Sequence, residues 1–114
     1  MAEIKGTGIF IYGDRPNNTL PVTWRLTFGR MLSNEESWRA EVTGRPTPSQ
    51  QKSNTNLFTA LARNFIFKLK TEDGSVFPCG IFNLDYFADA YPSTWYFEIC
   101  SRDQNMVKYE MGHE

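Results

Sequence analysis

Three stretches of alternating large and polar residues decide the fold: WRLTF at 24–28, WRAEV at 38–42 and WYFEI at 95–99. Successive side chains of a β-strand point to opposite faces, so each stretch places its large residues on one face and mostly polar residues on the other. The sequence therefore predicts an α+β fold: a single β-rich domain of about six mostly antiparallel strands, forming a curved sheet or small barrel with one short helix.

The rest of the chain fits strands separated by turn residues. The one predicted helix, near 54–64, has Leu57, Phe58 and Leu61 at helical spacing. The polar segment 45–56 before it contains two prolines and is predicted to be a surface loop. The predicted strands are 4–12, 21–32, 37–44, 65–71, 76–84 and 94–101.

A shared core face follows from the parity of the apolar positions. Even residues of strands two and three carry the large side chains, so their hairpin is expected to pair even with even, because a slip of one residue would expose every ring on one strand. The predicted core consists of Trp24, Leu26, Phe28, Trp38, Val42, Phe67, Phe82, Trp95, Phe97 and Ile99.

The hairpin at 65–84 contains Asp73-Gly74, a pair that suits a two-residue turn. That turn places Phe65, Phe67 and Leu69 on the core face and leaves a second, apolar face. Internal cover is the simpler explanation for that face, but the sequence also predicts a homodimer in which a second subunit hides part of it. The predicted interface residues are Ile66, Phe77, Cys79, Ile81 and Tyr96.

The two cysteines are expected to be reduced neighbours. If strands five and six pair with their core residues opposed, Phe82 faces Phe97 and Cys79 faces Cys100 directly. Two cysteines are too few for a disulfide scaffold, so we expect no disulfide.

Composition narrows the function classes. The 114 residues carry 12 Lys and Arg against 13 Asp and Glu, a formal net charge of −1, which gives no support for a general polyanion-binding protein. No signal peptide, membrane segment or metal motif is recognisable, so we expect a cytoplasmic protein with no cofactor. We expect one domain over 1–114, with a frayed tail at 103–114.

Function is predicted to be binding rather than catalysis, with a protein or a small molecule as the partner. One alternative is a ligand-binding or catalytic cleft formed by Asp85, Tyr86, Asp89 and Tyr91, because paired carboxylates can perform acid–base chemistry. The other alternative, which the charge balance disfavours, is nucleic-acid binding through Arg25 and Arg39 on the hairpin at 21–44.

Overall fold

Six antiparallel strands form the body of the protein and close into a barrel. The structure is a computed structural model that describes residues 4–15, 18–29, 37–52, 55–84, 94–102 and 104–106. The elements are β1 (Lys5–Ile11), β2 (Thr19–Gly29), β3 (Trp38–Gly44), α1 (Pro48–Lys52), α2 (Thr55–Ala62), β4 (Phe67–Thr71), β5 (Val76–Leu84) and β6 (Trp95–Cys100).

The strand order around the barrel is β1-β2-β3-β6-β5-β4, and pairing of β4 with β1 closes it. The predicted β-rich domain with six antiparallel strands is confirmed. Closure depends on a close approach at Gly8, which pairs with Thr71. A Cβ atom at Gly8 would lie 2.4 Å from the carbonyl oxygen of Lys70, so a larger residue would push β4 away from β1.

Aromatic rings fill the barrel. The ring of Phe10 lies 5.4 Å from that of Phe67 and 4.7 Å from that of Phe97, and Tyr12 packs edge-on against Trp95. Offset and tilted ring pairs of this kind add stabilisation to the burial of their apolar surface. Six of the predicted core residues are buried, namely Trp38, Val42, Phe67, Trp95, Phe97 and Ile99.

Two short helices, rather than one, cross from β3 to β4. The predicted helix corresponds to α2, whose Leu57, Ala60 and Leu61 pack into the core. Helix α1 lies where the sequence predicted only a loop. Thr47 and Gln50 exchange side chain–backbone hydrogen bonds in a capping box that starts α1, and the same Gln50 donates to the Tyr12 hydroxyl.

The hairpin of β2 and β3 has the predicted even-to-even register from Val22 to Leu26. A β-bulge at Thr27 then shifts the pairing, so that Phe28 lies opposite Arg39. The prediction that Phe28 belongs to the core is wrong: the bulge turns this ring outward, and its side chain is 53% exposed. Trp24 and Leu26 are partly buried and pack against the core.

The hairpin of β4 and β5 has a longer turn than predicted. Thr71 and Ser75 pair across a three-residue loop, and Gly74 adopts a φ of +91°. The extra loop residue moves the register by one, so Phe67 faces Cys79 and Leu69 faces Phe77. The predicted faces of β5 are therefore wrong, and Cys79 and Ile81 point into the barrel, where both are fully buried.

The predicted register of β5 and β6 is also wrong. Cys100 pairs with Gly80, not with Cys79, and Ile81 pairs with Ile99. A second β-bulge leaves Phe82 without an opposite residue, which explains why this ring is only half-buried rather than in the core. Both cysteines are buried and free.

The segment after β6 packs along the far end of β5. Asn105 accepts a hydrogen bond from the Ile81 amide through its side chain, and the Met106 amide donates to the Ile81 carbonyl. The Asn105 amide in turn donates to the Asn64 side chain. Asn105 and Met106 thus bond to β5 just past Cys79, the last β5 residue that pairs with β4. The rest of the predicted tail lies outside the described residues.

Candidate ligand-binding face

A groove of about 830 Å³ crosses the outer face of the barrel over β1, β2 and β3. A second depression of about 610 Å³ continues it along the same strands, and the two share three threonines. We call the combined surface the threonine groove. Its principal side chains are Thr7, Thr23, Thr43, Arg45, Lys70 and Glu72.

The three threonines form one row because of strand register. Thr7 pairs with Thr23, and Thr23 pairs with Thr43, so their side chains share the outer face of three adjacent strands. The Thr7 hydroxyl donates to Glu72 at 2.7 Å. Among the described residues, none hydrogen-bonds to the hydroxyls of Thr23 and Thr43, which leaves them available to a ligand.

The floor beneath the row is held by Trp24. Its indole N–H donates to the carbonyl oxygen of Thr7 at 3.1 Å. Thr7 lies one residue before the first β1 residue that pairs with β4. Trp24 therefore adds a side-chain link between β1 and β2 next to the point where the pairing of β1 with β4 ends.

Only some of the cations along the groove form an ion pair with a carboxylate of the described residues. Arg25 forms an ion pair with Glu41 at 2.5 Å, as a cross-strand pair on the solvated face. Arg45 and Lys70 line the larger depression, and no carboxylate of the described residues lies within ion-pair distance of either. A ligand with negative charge would meet these two side chains without displacing an existing partner.

A second cluster lies on the outer face near the other end of β3. The guanidinium of Arg39 lies 5.1 Å from the ring centre of Phe28 and 5.0 Å from that of Phe82. Both distances are within the range of a cation–π contact. We call this cluster the Phe28–Arg39–Phe82 stack.

The predicted site residues have different outcomes. Asp85, Tyr86, Asp89 and Tyr91 lie outside the described residues. Arg25 and Arg39 share the outer face of the β2–β3 hairpin as predicted, but one pairs with Glu41 and the other stacks on two rings. Arg30, which also belongs to the predicted hairpin at 21–44, is outside the described residues.

The five predicted interface residues do not form one surface. Cys79 and Ile81 belong to the core cluster, and Phe77 packs beside it against Trp38. Ile66 is 44% exposed, and Tyr96 is half-buried on β6. Cys79 and Ile81 are hidden inside the barrel, because the longer β4–β5 turn shifts the pairing of β5 by one residue from the predicted register.

Perturbed titratable groups in the described residues serve the fold. Burial raises the pKa of the Cys79 thiol, with a smaller contribution from Cys100, and burial also raises the pKa of Tyr12. The Thr71 hydroxyl, bonded to Asp73 in the β4–β5 turn, lowers the pKa of that carboxyl. None of these three groups lines the threonine groove.

Metal-binding clusters and membrane-spanning helices are both absent from the described residues. The described part of the chain contains no group of three or more His, Cys, Asp or Glu side chains placed to hold a metal ion. Within the same residues, no helix has both the length and the apolarity needed to cross a membrane.

Comparison with known proteins identifies no relative. No family model, no curated protein and no solved structure is significantly similar to the chain. The assignment of function therefore depends on the site alone.

Sequence reasoning missed the threonine groove and the stack. The alternation places Thr23 and Thr43 on the outer face, but the groove also needs the register of β1 and the closing strand β4. The Phe28–Arg39–Phe82 stack depends on two β-bulges, which no local pattern in the sequence predicts. A count of charge along the chain, rather than over the whole chain, would have shown the local cations Arg45, Lys68 and Lys70, which the net charge of −1 conceals.

Proposed function

We propose that the protein is a binding protein that takes single-stranded nucleic acid along the threonine groove. The observation that carries this proposal is the groove itself, a hydroxyl-lined outer surface with the cations Arg45 and Lys70, neither of which has an ion-pair partner among the described residues. Threonine hydroxyls and basic side chains are the groups that proteins commonly present to phosphate oxygens.

Electrostatics favours a polyanion over a neutral ligand. Each phosphate that a lysine or arginine neutralises releases condensed counterions, and this release drives binding at moderate salt. The groove includes two cations, Arg45 and Lys70, that lack an ion-pair partner among the described residues. The whole chain has a net charge of −1, so the proposal depends on these local cations and not on an overall positive charge.

A single strand fits the surface better than a duplex. Reading a duplex through its major groove uses a projecting helix or a two-stranded ribbon. Here the core-facing residues of α2 are buried, and the strands of the groove belong to a closed barrel. Small barrels that bind single strands instead use an open outer face with basic and aromatic side chains.

The experiment is a binding titration by fluorescence anisotropy with labelled single-stranded DNA and RNA of about 15 nucleotides, and with a duplex of equal length. We expect binding to both single strands, weaker binding to the duplex, and an affinity that falls as salt rises from about 50 to about 200 mM. The double variant Arg45→Glu/Lys70→Glu should bind at least about tenfold more weakly, with a salt slope reduced by about 1.4.

The matched control is Arg15→Glu/Arg63→Glu, which makes the same charge change. These two arginines line a separate depression of about 320 Å³ between the β1–β2 turn and α2. The control should retain wild-type affinity within about twofold. Equal weakening by both double variants would show that binding is diffuse and not located in the groove, and no binding of single strands by the wild type would overturn the proposal.

A further inference from the structure

Two β-bulges converge on one arginine. The bulge at Thr27 in β2 turns Phe28 outward, and the bulge in β5 places Phe82 outside the core. Between them, Arg39 of β3 pairs with Cys100 of β6, which also pairs with Gly80 of β5. Bulges commonly re-aim side chains near functional sites, and here two of them build the same cluster from three strands.

The stack leaves one aromatic surface open. Arg39 is half-buried between the two rings, whereas Phe28 is 53% exposed. No carboxylate of the described residues lies within ion-pair distance of Arg39. The cluster thus presents an apolar ring beside a positive charge that is fixed in position and has no anionic partner in the described part of the chain.

We propose that the Phe28–Arg39–Phe82 stack is a base-stacking site, in which Phe28 takes one nucleobase on its open face and Arg39 contacts a phosphate of the same strand. The inference rests on the proposed function and adds the part of the ligand that this cluster recognises. Stacking of bases on aromatic side chains tolerates every base, because each base has a π-face.

The position of the stack relative to the groove favours a nucleic-acid strand as occupant. Arg39 and Thr43 lie four residues apart on β3, which is about 13 Å along a strand. One chain of a few nucleotides spans that distance, so phosphates in the groove and a base on Phe28 belong to one ligand. Charge complementarity points the same way, because no carboxylate of the described residues lies within ion-pair distance of Arg39, Arg45 or Lys70.

The test compares a base-bearing strand with an abasic strand of equal length and equal phosphate number. The wild type is expected to bind the base-bearing strand more tightly. Phe28→Ala should weaken binding of that strand by about tenfold, equivalent to about 1.4 kcal/mol, and leave both the abasic affinity and the salt slope unchanged. Phe28→Trp should preserve affinity and add an exposed indole whose fluorescence the base-bearing strand quenches and the abasic strand does not.

The outcomes separate this inference from the proposed function. Equal affinity of the wild type for both strands, or equal weakening of both by Phe28→Ala, would overturn base stacking while groove binding stands. Binding of neither strand by the wild type would overturn groove binding and, with it, the stack. Because Phe28 is outside the core, Phe28→Ala is expected to remain folded, which its far-ultraviolet circular dichroism would verify.

Discussion

Phe28 and Phe97 both occupy large-residue positions of an alternating stretch, yet their environments are opposite. Phe97 is 1% exposed and its ring packs against Phe10, whereas Phe28 is 53% exposed beside Arg39. The alternating pattern assigns both residues to the core, because it contains no signal for a bulge between Leu26 and Phe28. At the residue scale, a single inserted position decides whether a phenylalanine stabilises the barrel or faces a ligand.

The contrast gives a stability prediction. Phe97→Ala should lower the free energy of unfolding by about 3–5 kcal/mol, since it removes buried ring contacts and leaves a cavity. Phe28→Ala should change it by less than about 1 kcal/mol, because most of that ring is already hydrated. Urea unfolding followed by tryptophan fluorescence measures both values, and similar losses from the two variants would contradict the outward position of Phe28.

At the element scale, turn length decided which face of β5 points inward. The pair Asp73-Gly74 predicts a turn residue with positive φ, and Gly74 adopts that conformation. Two-residue and three-residue loops both need such a residue, so the pair does not decide the length of the loop. The pattern therefore predicted the hairpin and not its register. The existence of the six strands and the pairing of β2 with β3 were readable from alternation; closure by β4, the two bulges and thus the candidate site depended on contacts between distant segments.

The end of β5 gives a second stability prediction. The Ile81 amide donates to the Asn105 side chain at 2.9 Å, and the Asn105 amide is itself bonded to Asn64. Asn105→Ala removes the acceptor from a part-buried amide, which should lower the free energy of unfolding by about 1–3 kcal/mol. Gln104→Ala, which alters an exposed neighbour, is the control and should have little effect. Hydrogen exchange at the Ile81 amide should accelerate in the first variant only; unchanged protection there would show that residues 104–106 do not hold β5.

At the scale of the whole molecule, the barrel separates an apolar interior from an outer face that carries the threonine groove. Two groups of the interior, Cys79 and Tyr12, each have a pKa raised chiefly by burial. For Cys79 the nearby Cys100 adds to the effect, whereas for Tyr12 a hydrogen bond from Gln50 opposes it. Neither group touches the threonine groove, so their titration reports on the fold and not on ligand binding.

A loss of stability at alkaline pH follows from these two groups. In the unfolded chain, Cys79 releases its proton near its ordinary value of 9.0 and Tyr12 near 10.0, whereas burial in the folded barrel raises the pKa of both groups. Above these values the unfolded state binds fewer protons than the folded state. The free energy of unfolding should therefore be constant at lower pH and fall by up to about 1.4 kcal/mol per pH unit and group at higher pH.

Urea unfolding of the wild type and of Cys79→Ala between about pH 8 and about pH 10 measures the slope. The variant should start less stable because of its cavity but lose less with rising pH, since the contribution of the Cys79 thiol is gone. Parallel slopes in the two proteins would mean that the thiol of Cys79 ionises as easily in the folded barrel as in the unfolded chain, which is incompatible with its complete burial.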